Sequence, residues 1–208
     1  MGSSSSTPAS SSALNKREKE VSCDDSIERV FVVERELAMS EIISLICVLK
    51  LPLVTTAIAV VYTLAKEYFS EKGISATHTG LLLETSTGHY YLVEYTNDSK
   101  AHLYEVEYPV KEKRNLFDPN TMVNDFVITK VLDDRVQYLI DPPERIEMHG
   151  YTWEKKRLRR KPSPEKTPDI AKREMEELMP IGYNLMENEV CHTALCRLLE
   201  KWGLLDDD

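Results

Sequence analysis

The sequence lacks any pair of Cys-x-x-Cys motifs, and its five histidines do not stand at ligand spacing from its four cysteines. A structural zinc site is therefore not expected, and chemistry without metal or cofactor is the default reading. Cys23, Cys47, Cys191 and Cys196 are unevenly spread, and no secretory signal with a cleavage site opens the chain. A reducing, cytoplasmic setting is expected rather than an oxidising one. Positive charge is also in deficit. The formal net charge of −9 argues against nucleic acid as a partner, because a mainly acidic surface repels phosphates unless its basic residues gather on one face. They gather only in Lys155-Lys156-Arg157 and Arg159-Arg160-Lys161. That run reads as a solvated loop or, more sharply, as a patch for anionic lipid, RNA or an import receptor.

At 208 residues the chain suits one well-packed domain with appendages. Residues 1–26 are Ser-rich, then charged, and almost without large apolar side chains; they cannot repay the entropy of ordering and read as a disordered tail. The opening Met1-Gly2-Ser3-Ser4-Ser5-Ser6 satisfies the loose pattern for N-terminal myristoylation, with Lys16, Arg17 and Lys19 as a second membrane signal. Residues 27–72 are expected to form a helical N-terminal region, after a short strand at Val30-Phe31-Val32-Val33. This region would pack on the main domain or associate with a membrane. Ile42 to Ala65 is apolar almost throughout, but Lys50 and Pro52 divide it and Thr55, Thr56 and Thr63 add polarity. A buried helical hairpin is the first reading and a membrane-inserted segment the alternative.

Residues 73–208 carry the main domain. His78 to Leu83 and His89 to Tyr95 flank the polar turn Thr85-Ser86-Thr87-Gly88 and predict a β-hairpin. Leu103 to Tyr108 reads as a further strand, and Phe126 to Leu132 with Arg135 to Ile140 as another pair. From Tyr151 to Asp169 the basic, proline-rich composition predicts a long loop or flap. Helices are expected at Pro168 to Leu178 and Asn188 to Trp202, the second ended by Gly203. The class implied is α+β, an antiparallel sheet packed against helices.

With Asn188 as N-cap, Cys191 falls in the first turn of the last helix, where unpaired N–H groups and the helix dipole favour a thiolate. It shares the apolar face of Val190, Ala194, Leu198 and Trp202, which equally suits a small buried hydrophobe. Cys196 lies deeper and reads as structural. A thiolate needs an imidazole to manage its proton, and His78, at the start of the three-leucine strand, is the best placed. His102 and His149 read as solvent-facing, His192 as pointing about a third of a turn from Cys191, and His89 as remote at the turn end. Folding the hairpin sets His78 against the region of Glu94, which could fix the tautomer of the imidazole or be an ordinary strand carboxylate.

The early His78-Thr79-Gly80-Leu81-Leu82-Leu83 and the late Tyr183 to Leu195 together resemble the circularly permuted papain-like superfamily. Its PPPDE peptidases and lecithin:retinol acyltransferase group are relatives. Glu94 in the strand after His78 is similar to the cell-wall-amidase-like branch with its Cys-His-Glu triad. The resemblance covers Gly73 to Gly203. It implies a permuted papain-like fold with the catalytic cysteine at the N-terminus of the C-terminal helix: Cys191 as nucleophile, His78 as base and Glu94 holding it. The activity implied is that of a cysteine hydrolase, a peptidase or amidase, acting on an amide, ester or thioester through an acyl-enzyme. The substrates would be peptides, peptide conjugates or lipids, with no cofactor. The alternatives are a lipid acyltransferase on the same fold and a non-catalytic interaction protein on a membrane surface.

Overall fold

A strand that buries three consecutive leucines must be covered on both faces, because successive side chains point to opposite sides of a sheet. Leu81, Leu82 and Leu83 have no exposed surface. The computed structural model describes residues 20–37, 77–111, 144–184 and 190–205. Its strands are β1 (Ile27–Glu36), β2 (Thr77–Thr85), β3 (Tyr90–Tyr95), β4 (Ala101–Val106), β5 (Val110–Lys111), β6 (Glu144–Met148) and β7 (Tyr151–Arg157); its helices are α1 (Pro168–Glu177) and α2 (Cys191–Lys201). The strands form one seven-stranded sheet in the order β4-β3-β2-β1-β7-β6-β5, every pairing antiparallel. The α+β class and the antiparallel sheet are thus as expected.

The β2–β3 hairpin follows its sequence closely. Leu81 pairs with Val93 and Leu82 with Leu92, and the turn closes through Thr85 N–H donating to His89 O at 2.9 Å. Gly88 has φ 83°, a left-handed conformation that only glycine adopts freely. Gly80 answers a different need. A Cβ there would lie 2.8 Å from the Val93 carbonyl oxygen and 3.2 Å from Leu92 Cδ1, so a glycine lets β2 and β3 approach beside His78.

Odd-numbered residues of β2 and β3 face the helices. Leu81, Leu83, Val93 and Tyr95 pack with Ala171 and Met175 of α1 and with Ala194, Leu195, Leu198 and Leu199 of α2. Each such leucine contributes on the order of 2 kcal/mol by leaving water. Even-numbered residues face a second core, in which Leu82 and Leu92 meet Phe31, Val33, Val106, Ile146, Met148 and Trp153. This second core reveals curvature. β4 and β6 stand five positions apart in the strand order, about 24 Å if the sheet were flat, yet the rings of Tyr104 on β4 and His149 after β6 are 5.6 Å apart. The sheet therefore curls, with the helices outside and the second core within the curl.

The helix ends are set locally. Thr167 caps α1, its Oγ1 accepting from the Ile170 N–H at 3.3 Å, with Pro168 opening the first turn. After α2, Gly203 at φ 63° and the bonds Gly203 N–H to Glu200 O and Leu204 N–H to Leu199 O, both 2.9 Å, form a Schellman ending.

Three expectations need correction. The strand expected at Val30 to Val33 is present and longer, but it does not open a separate helical region: β1 is the central strand of the sheet, between β2 and β7, and buries Val30 to Val33. The tail expected through residue 26 ends earlier. Glu20 forms a bridge with Tyr104, Cys23 is buried in the helix-side core, and the Cys23 N–H donates to Asp169 Oδ1 at 3.1 Å. The basic loop expected at 151–169 begins as β7, because Trp153 supplies a large apolar anchor and the flanking lysines are paired along the sheet. Lys155 bridges Glu144 at 2.9 Å and lies 4.8 Å from the Phe31 ring centre. Beyond the strand, Arg160 donates to Leu205 O at 2.8 Å and Lys161 pairs with Glu28, so the basic run is tied to the domain rather than free. The strand pair expected at 126–140 and the apolar stretch 42–65 lie outside the described residues. Among the described residues no helix is long and apolar enough to cross a membrane.

Candidate active site

α2 begins at Cys191, with Val190 as its N-cap rather than the expected Asn188, which lies outside the described residues. Valine offers no acceptor, and no side-chain bond caps the helix. Backbone donors of the first turn are therefore directed toward whatever negative charge forms there. Cys191 is buried together with Ala194, Leu195, Leu198 and Leu199, as the apolar face required. It is a free thiol, as are Cys23 and Cys196.

His78 and Glu94 come together through strand register. Gly80 pairs with Glu94 across the hairpin, so His78, two residues back, lies diagonally opposite Glu94 on the inner face. The contact is direct, His78 Nε2 to Glu94 Oε2 at 2.7 Å, and both side chains are largely buried. With Nε2 committed to the carboxylate, Nδ1 is the ring nitrogen left for another partner. The His78 ring and the Cys191 thiol are near enough to shift one another's charge, the ring raised and the thiol lowered. Of the three residues singled out in the sequence, the direct contact is that between His78 and Glu94.

The electrostatics are those of an ion pair. Burial works against a charged His78, but the Cys191 thiolate and the Glu94 carboxylate outweigh it and push its pKa up to about 10. Burial likewise pushes the Cys191 thiol up, while the His192 and His78 rings outweigh that and hold it well below the ordinary thiol range. For Glu94 burial again opposes charge; the His78 ring, then Arg35 and His149, keep it ionised.

Sequence reasoning missed several neighbours. Arg35 on β1 sits directly across from His78 in the register; it is buried and stacks its guanidinium 4.2 Å from the Tyr151 ring and 5.1 Å from Trp153. Trp153 meets the His78 ring edge-on at 6.0 Å. The alternation of β1 was the available signal: Phe31, Val33 and Arg35 share one face, so Arg35 extends the inner core toward the site.

His192 needs outright correction, because it does not point away. Its Nδ1 lies 3.0 Å from Thr79 Oγ1 and 3.7 Å from Cys191 Sγ. Side chains on a helix tilt toward the N-terminus, and at the second residue of α2 that tilt carries the ring past the end of the helix onto β2. His149 is half-buried against Tyr104 rather than solvent-facing, its pKa lowered by burial with Glu94 opposing. His102 is also held, bridging Glu20 at 2.8 Å and Asp98 at 3.0 Å. His89 is exposed and pairs with Glu105 at 3.1 Å, at the far end of the hairpin. No cluster of three or more metal-ligating side chains occurs among the described residues. Compared with family models, curated proteins and solved structures, the chain matches none.

Proposed function

We propose that the protein is a cysteine-nucleophile hydrolase or acyltransferase with a permuted papain-like arrangement, using Cys191, His78 and Glu94. One observation carries the reading: a cysteine opening a helix is coupled by charge to an imidazole that a largely buried carboxylate holds at 2.7 Å. A structural cysteine needs no such chain of partners.

The Cys191 thiolate attacks an amide, ester or thioester carbonyl. The backbone N–H of Cys191, at the open start of α2, is a natural donor to the developing oxyanion. The His78 imidazolium gives its proton to the leaving amine, alcohol or thiol as the tetrahedral adduct collapses, leaving a thioester on the Cys191 sulfur and a neutral ring. That ring then takes a proton from water or another acceptor as it attacks the thioester. Collapse of the second adduct releases the acid or transferred acyl product and restores the ion pair. Glu94 holds the ring in the Nε2–H tautomer, so that Nδ1 carries the transferred proton, and stabilises the charged form. Water as acceptor gives hydrolysis, and a lipid hydroxyl or an amine gives transfer.

Thiol reactivity tests this without a known substrate. Cys191 should react with iodoacetamide much faster than Cys23, Cys47 and Cys196 at neutral pH, because its thiol is held well below the ordinary thiol range. Equal, slow labelling of all four would contradict the proposal.

A further inference from the structure

The site holds more imidazole than a single Cys-His pair needs. His192 Nδ1 is within hydrogen-bonding distance of two atoms, Thr79 Oγ1 at 3.0 Å and Cys191 Sγ at 3.7 Å, while its Nε2 is buried with no hydrogen-bond partner among the described residues. A ring that leaves one nitrogen buried and unpartnered is oriented by what the other nitrogen touches. Resting on the cysteine-nucleophile reading above, we infer that His192 is a second imidazole of the site, one that donates Nδ1–H to the Cys191 thiolate and is fixed in that role by Thr79.

The tautomer follows from the contacts. A thiolate only accepts, and a threonine hydroxyl accepts as readily as it donates. If the ring hydrogen sat on Nε2, the bare Nδ1 lone pair would face the anionic sulfur and the hydrogen would be stranded on the unpartnered side. With Nδ1–H, one hydrogen is shared between sulfur and Oγ1, and only a lone pair is left unsatisfied. The two imidazoles then divide the work. His78, backed by a carboxylate, moves the proton; His192, backed only by a hydroxyl, keeps its own and stabilises charge on sulfur. That charge exists twice in the cycle, before attack and when the thiolate leaves the second adduct, so the donor serves both steps.

Among the described residues, the charged and titratable groups facing His192 are Cys191 on its own helix, His78 on β2 and Glu34 on β1. The experiment is the pH dependence of Cys191 alkylation by iodoacetamide in the full chain, for the unmodified protein, His192→Phe and His192→Asn. Phenylalanine keeps the ring and removes the donor; asparagine restores an N–H near the Nδ1 position. The midpoint should rise by about one to two pH units in His192→Phe, and His192→Asn should recover at least half of that rise. An unchanged midpoint in His192→Phe would overturn the inference, and so would equal rises in both variants, which would mark a packing role. If the unmodified protein shows no fast-reacting Cys191, the cysteine-nucleophile reading itself falls. Should His192→Phe not fold, nitrogen NMR of the unmodified chain decides instead: the inference requires His192 to carry its hydrogen on Nδ1, and an Nε2–H tautomer would overturn it.

Discussion

Replacing Cys191 with alanine should lower turnover of an activated ester, such as p-nitrophenyl acetate, by roughly 10⁴- to 10⁶-fold, because the thiolate that forms the acyl intermediate is lost. His78→Gln should cost nearly as much. Without the imidazole, neither the leaving group nor the acceptor has a proton partner, and of the two rings that oppose burial at the Cys191 thiol only His192 remains. The double variant should be scarcely worse than either single one, since residues acting as one unit are lost together. Melting temperature separates this from unfolding. Cys191→Ala removes one small buried atom and should shift the transition little. Losses that multiplied in the double variant, or a Cys191→Ala protein with near-normal turnover, would contradict the roles assigned.

The second large effect concerns Glu94. Glu94→Gln should lower turnover by about 10- to 1000-fold, less than loss of the nucleophile, because an orienting residue positions and stabilises the base without taking part in bond making. The sign of the accompanying change is fixed by electrostatics. His78 is held at about 10 partly by Glu94; removing that charge lowers the imidazole pKa, weakens the ion pair and raises the apparent pKa of Cys191. The pH profile of Cys191 alkylation should therefore move upward. An unchanged profile would remove Glu94 from the site. His89 offers no substitute, since it is exposed and paired with Glu105 at the other end of the hairpin.

Much of this arrangement was legible in the sequence. The three leucines, the polar turn ending in Gly88 and the alternation through Tyr95 fixed the hairpin and its register, and register alone brings Glu94 to His78. The apolar spacing of the last helix likewise predicted that Cys191 would be buried. Strands rich in charge were harder to read. β7 looks like a basic loop because Lys155, Lys156 and Arg157 dominate its composition, whereas its pairing is decided by neighbours distant in sequence, β1 on one side and β6 on the other. The apolar run Val30 to Val33 shows β1 as a strand, but nothing local shows that a strand from the beginning of the chain becomes the centre of the sheet. The site's missed members share that cause. Arg35 and Trp153 join it only because β1 and β7 pair beside β2. His192 was set aside by helical angle alone, although at the first turn the direction of a side chain depends on what lies beyond the helix end, here Thr79.

The account turns on a covalent bond to one sulfur, and trapping that bond tests it most directly. The full chain is exposed briefly to p-nitrophenyl acetate, quenched in acid and mapped by mass spectrometry. The result predicted is a single acetyl thioester on Cys191, cleared by hydroxylamine and absent from His78→Gln under the same exposure. A Cys191 that stays unmodified, or acetylation spread evenly over Cys23, Cys47, Cys196 and surface lysines, would contradict it.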